Sequence, residues 1–93
     1  MPLQTTPYDS AEYLKTKEDV VAYLEAAFED GDAAGITLAL GIVARSEGMS
    51  EVARQAGLSR ASLYKALTDG GNPEFATVLK VIQALGLKLT IAA

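Results

Sequence analysis

SEVARQAGLSRASLYKAL, residues 50–67, is the stretch on which the reading of this chain turns. Ser50 can accept a hydrogen bond from a first-turn amide and so cap a helix over EVARQA, with Val52, Ala53 and Ala56 on its inner side. Gly57 stands where the chain has to turn sharply, and only a residue without a Cβ turns that way at no steric cost. Leu58 is expected to plug the core. Ser59 is placed to cap a second helix, RASLYKAL, by accepting from one of its orphan amides. Leu63 and Leu67 are four residues apart and face inward together. The opposite face then carries Arg60, Ala61, Ser62, Tyr64 and Lys65.

Two short helices joined through Gly-Leu-Ser cross at a steep angle, which pushes the second one outward. Its N-terminal end can then lie in a DNA major groove while the first helix crosses the backbone. In that position Arg60 can read a guanine edge bidentately, and Ser62 can bond a base or a phosphate. Lys65 and Tyr64 can hold phosphates, or the Tyr64 ring can pack on a thymine methyl. Gln55, near the end of the first helix, suits a phosphate contact that positions without reading sequence. The positive helix ends at Ser50 and Ser59 reinforce phosphate binding. Each of these residues also has a plainer reading. Tyr64 fits a core aromatic with its hydroxyl at the surface, and Arg60 and Lys65 fit ordinary solvated charges.

A DNA-reading element sits oddly in a chain of 93 residues with net charge -4 and a pI of about 4.6. The charge is unevenly spread, however. Residues 1–48 hold Lys15, Lys17 and Arg45 against nine acids, a net of -6. Residues 49–93 hold five bases against Glu51, Asp69 and Glu74, a net of +2. Opposite signs in the two halves suggest two different partners, although nine acids also fit a merely solvated surface.

Working outward, residues 1–8 contain Pro2 and Pro7, show little periodicity and read as a loosely ordered tail. Asp9 or Ser10 can start a helical turn or two. TKEDVVAYLEAAFEDG predicts a helix capped by Thr16, with Asp19 in a capping-box position and Gly31 as its stop. Its inner stripe is Val20, Val21, Leu24, Ala27 and Phe28. Asp32 can cap the next helix, which runs to Gly48. Ile36, Leu40 and Val43, widened by Leu38 and Ile42, imply burial on more than one side. Gly35 and Gly41 inside it point to close helix packing. After the TDGGNP loop, Asn72 can cap and Pro73 can open a last helix with Phe75, Val78, Leu79, Ile82 and Leu85 inward, stopped by Gly86. LKLTIA then alternates, with Leu87, Leu89 and Ile91 on one side, which predicts a strand. A lone strand must find a partner for its amides, whether a second copy, a partner protein or the N-terminal tail, and these three residues are candidate dimer contacts.

VARQAGLSRASLYKAL, with the following GGNPEFATVLKVIQALGLKLTIA, resembles the helix-turn-helix domain of Xre-like, Cro-type repressors. The whole chain, including YDSAEYLKTKEDVVAYLEAAFEDGD, is similar to one branch of that group: probable addiction-module antidote proteins, antitoxins of the HigA type. The resemblance implies an all-α, five- to six-helix lambda-repressor-like DNA-binding domain. An acidic helical extension over residues 9–35 would precede the helix-turn-helix domain at 36–86, and a short β-strand would follow at 87–93. The strand departs from the final helix usual in such repressors. The resemblance further implies a type II antitoxin that binds a small basic RelE/ParE-like toxin and represses its own operon as a homodimer on double-stranded operator DNA. Glu25, Glu29, Asp30 and Asp32 are the acids expected to meet the toxin. The family pattern places DNA contacts at Ser59, Arg60, Ala61, Ser62, Tyr64 and Lys65.

Composition sets the remaining bounds. Cysteine and histidine are both absent, which removes disulfides, Cys/His zinc sites, thiol nucleophiles and histidine acid–base chemistry. No convergent set of carboxylates, serine and lysine stands out, so neither an enzyme nor a cofactor or metal site is expected. The N-terminus lacks a signal-peptide pattern, and no apolar run approaches the ~18 residues of a membrane span. A cytoplasmic protein is therefore expected. Two other readings keep the fold: a stand-alone Xre-type regulator without a toxin, and a helical protein-interaction module that no longer binds DNA.

Overall fold

The computed structural model describes residues 14–68 and 70–93. Among these, five helices run in order: α1 Lys17–Asp30, α2 Ala33–Glu47, α3 Met49–Ala56, α4 Arg60–Leu67 and α5 Phe75–Ala84. The expected N-terminal tail and the turn at Asp9 and Ser10 lie outside the described residues.

The first two helices start where their capping residues are. Thr16 Oγ1 accepts from Asp19 N at 3.1 Å, and the Asp19 carboxylate accepts from Thr16 N at 3.0 Å. This reciprocal capping box satisfies two orphan donors at once. Asp32 accepts from Gly35 N at 3.2 Å and starts α2. Backbone N–H groups of Thr16 and then Lys15 hold the Asp19 carboxyl below its ordinary pKa. A carboxyl depressed by folding contributes stability above its unfolded pKa and loses it as pH falls through the folded value. In urea titrations from about pH 6 down to about pH 2, wild type should therefore lose its advantage over Asp19→Asn below the ordinary aspartate range near ~3.9. An advantage that stays constant with pH would show that the charge is idle.

Helix α2 is the centre of the bundle. It packs against α1, α3 and α4, while α3 also packs against α4 and α5. Its burial runs nearly all the way round from Thr37 to Ala44, as the wide apolar face predicted. One continuous core joins Val20 and Leu24, Leu40 and Val43, Met49 and Val52, Leu63 and Leu67, and Val81 and Ile82. Gly41 lies against the carbonyl end of α4, where a Cβ would stand 2.4 Å from Leu67 O. Gly35 has no such neighbour; its nearest contact would be Asp32 Oδ2 at 3.4 Å.

Four expectations need correction. Helix α3 begins at Met49, which is buried, so Ser50 is an exposed residue of the first turn and makes no cap; Gly48 takes the cap position at φ 107°. Helix α5 begins at Phe75 with Glu74 at its cap position, so neither Asn72 nor Pro73 opens it. Phe75 does not join the core and is 66% exposed, because it lies in the first turn, ahead of the turns that reach the core at Val81 and Ile82. Finally, residues 87–93 form no strand. Leu87 N donates to Ile82 O and Gly86 N to Gln83 O, which closes the end of α5 and packs Leu87 against its own core. Beyond it the chain finds no ladder partner among the described residues, and an alternating pattern alone cannot supply one.

Candidate nucleic-acid interface

The segment 50–67 folds as two helices around a tight closure. Gly57 adopts φ 75°, and its N–H donates to Arg54 O at 3.2 Å. Leu58 N donates to Ala53 O at 2.9 Å, and the Leu58 side chain packs against the core. This paired closure satisfies two orphan carbonyls of α3 and anchors the turn through Leu58. Ser59 then opens α4: its Oγ accepts from Ser62 N at 3.0 Å and donates to Ser62 Oγ at 2.9 Å.

The two faces of α4 separate cleanly. Leu63 and Leu67 are fully buried. Arg60, Ala61, Ser62, Tyr64 and Lys65 are all exposed, with Tyr64 at 53%. At this exposure Tyr64 is not a core aromatic. Among the described residues, Arg60 and Lys65 form no ion pair, since Arg54 with Glu51 is the pair found there. Ser50 and Gln55 are exposed on α3.

The sequence reading missed a cluster on α3. Arg54 donates through Nε to Glu51 Oε1 at 3.1 Å and through Nη2 to Oε2, while Gln55 Nε2 donates to Oε2 at 2.7 Å. Donation from Arg54 and then Gln55 holds the Glu51 carboxyl below its ordinary pKa, and Glu51 raises that of Arg54. The signal was present in the sequence as i, i+3 and i, i+4 spacing on one helix.

The acidic residues and the chain end meet elsewhere. An open groove runs between α1 and the C-terminal segment, floored by Val21, Leu24, Phe28, Leu87 and Leu89, with Glu25 and Glu29 among its lining residues. Asp30 is exposed at the end of α1. Asp32 is engaged as the α2 cap. Leu89 and Ile91 remain exposed, Ile91 almost wholly.

A family model described as "probable addiction module antidote protein" matches residues 4–93. This chain belongs to that family. A relative from Haemophilus influenzae, described as an uncharacterized protein, is 44% identical over 91 residues, covering 98% of this chain and 94% of its own length. No solved structure matches the chain. Membership of an antidote family implies a toxin as partner. No helix among the described residues is long and apolar enough to cross a membrane.

Proposed function

We propose that this antidote protein is the antitoxin of a type II toxin–antitoxin pair. In the cytoplasm it binds and neutralises a small basic RelE/ParE-like toxin, and as a dimer it represses its own operon on palindromic DNA. One observation carries the reading: Arg60, Ser62, Tyr64 and Lys65 stand together on the exposed face of α4, while Leu63 and Leu67 hold that helix to the core. A short helix fixed in this way, with its N-terminus capped by Ser59, suits a major groove. On this reading the helices around α3 and α4 form a lambda-repressor-like helix-turn-helix domain.

The toxin is assigned to α1. Glu29 and Asp30 lie in the last turn of that helix, where no basic residue offsets them and the helix dipole opposes their charge. A cationic partner relieves that repulsion, and the adjoining groove offers it apolar surface. DNA and toxin then use different helices of the subunit, in keeping with the opposite charge of its two halves. Dimerisation is assigned to the exposed Leu89 and Ile91, with Leu87 already engaged inside the subunit. Two α4 helices roughly 34 Å apart match half-sites one turn of DNA apart.

The direct experiment is to co-express the chain with the product of the adjoining reading frame, ask whether they co-purify, and test the complex on DNA from upstream of their genes. A stable complex that shifts this DNA is expected; DNA binding with no partner would instead favour the stand-alone regulator. A triple variant, Glu25→Gln with Glu29→Gln and Asp30→Asn, tests the surface while sparing the Asp32 cap. It should slow toxin association by about tenfold at low salt and much less at high salt. Unchanged association would remove α1 from the toxin contact.

A further inference from the structure

We propose that Arg54 and Gln55 form a phosphate-binding site on α3 whose place is held, in the free protein, by the carboxylate of Glu51. The inference rests on the DNA reading of α4 and names a contact outside that helix. Its basis is geometric. Glu51, Arg54 and Gln55 share the exposed face of α3, and both oxygens of one carboxylate accept three N–H groups from a guanidinium and an amide. A phosphodiester presents the same chemistry: two anionic oxygens close enough to accept a guanidinium fork. Gln55 is separated only by Ala56 in sequence from the turn that leads into α4, and it also borders Lys80 and Gln83 of α5. In the docking assigned to α4 the first of the two helices crosses the sugar–phosphate backbone.

Glu51 thus acts as an internal competitor. All three side chains are exposed, so a backbone phosphate can displace the carboxylate without unpacking anything. While the carboxylate stays, it both occupies the two donors and repels the phosphate. It is also one of only three acids in residues 49–93, so removing its charge takes that half from +2 to +3.

The test measures dissociation constants against salt for wild type, Glu51→Gln, Arg54→Ala and the double variant. The probes are a duplex from upstream of the protein's own coding region and a scrambled duplex. Glu51→Gln should tighten binding to both duplexes roughly five- to fiftyfold at low salt, and its salt slope should steepen by about 0.9 for each phosphate gained. Tightening on both duplexes is expected because a phosphate contact carries no sequence information. In the Arg54→Ala background the same substitution should lose most of that gain and the steeper slope. Wild type that binds DNA while Glu51→Gln binds with unchanged affinity and slope overturns the site alone. An equal gain with and without Arg54 also overturns it, by reducing Glu51 to a diffuse charge. Wild type that binds neither duplex overturns the DNA reading and the site with it.

Discussion

Gly41→Ala is expected to destabilise this protein by about 1–3 kcal/mol, although alanine is the better helix former. A Cβ at residue 41 would stand 2.4 Å from Leu67 O, a backbone atom at the end of α4. No rotamer change relieves such a clash. Either α2 or α4 has to move, and Leu67 and Leu63, both fully buried, move with α4. The helix-propensity gain of alanine, up to ~1 kcal/mol, offsets only part of this. For a chain of this length each kcal/mol corresponds to roughly 4–8 °C in melting temperature. Gly35→Ala is the matched control in the same helix. Its Cβ would meet only the Asp32 side chain, nearest at Oδ2 3.4 Å away, so it should be neutral or gain a few tenths of a kcal/mol to about 1. If both variants melt alike, the close approach of α2 and α4 is wrong. The same displacement should weaken DNA binding, because the face of α4 is aimed by its seat on α2.

The contrast between those two glycines marks how far the sequence could be read. Both sit inside one helical pattern, and both suggested close packing, but only Gly41 has a neighbour that demands it. Which glycine faces another helix is set by the crossing of α2 and α4, a tertiary fact with no local signature. Local chemistry was legible where it was local. The Thr16–Asp19 box, the Asp32 and Ser59 caps and the closure at Gly57 all follow from residues within a few positions of one another. The inward pair Leu63 and Leu67 followed from helical spacing. Ser50 misled because a good capping residue followed a residue, Met49, that the core takes in and so draws into the helix. The alternation of LKLTIA misled because a period of two describes where side chains would point in a strand, and no partner edge exists among the described residues to form one. The groove between α1 and the C-terminal segment joins residues about sixty positions apart. Neither Glu25 nor Leu89 could announce that they line one surface.

The loss of DNA binding in Arg60→Ala with Lys65→Ala is the result that bears most directly on the proposed function. Neither side chain packs in the core or joins an ion pair among the described residues, so the fold should be indifferent to their removal. Exposed substitutions of this kind usually change stability by no more than about 0.5 kcal/mol, and the melting temperature checks this directly. The expected effect on DNA is much larger. A bidentate arginine–guanine contact discriminates by ~1–3 kcal/mol, about five- to 150-fold in each half-site. A dimer makes that contact twice, so Arg60→Ala alone should cost about 25-fold at the least on its operator, and less on scrambled DNA. Lys65→Ala should weaken binding to all sequences alike and reduce the salt slope by about 1 per subunit. The two substitutions therefore leave different signatures, and the double variant should show both. Tyr64→Phe, which removes only a hydroxyl from the same exposed face, shows whether Tyr64 bonds a phosphate or uses its ring alone. If the double variant shifts operator DNA as wild type does, with an unchanged salt slope, α4 is not the reading helix. The chain would then be an antidote that meets its toxin through a fold whose DNA face has fallen silent, and repression would have to be sought in another component of the module.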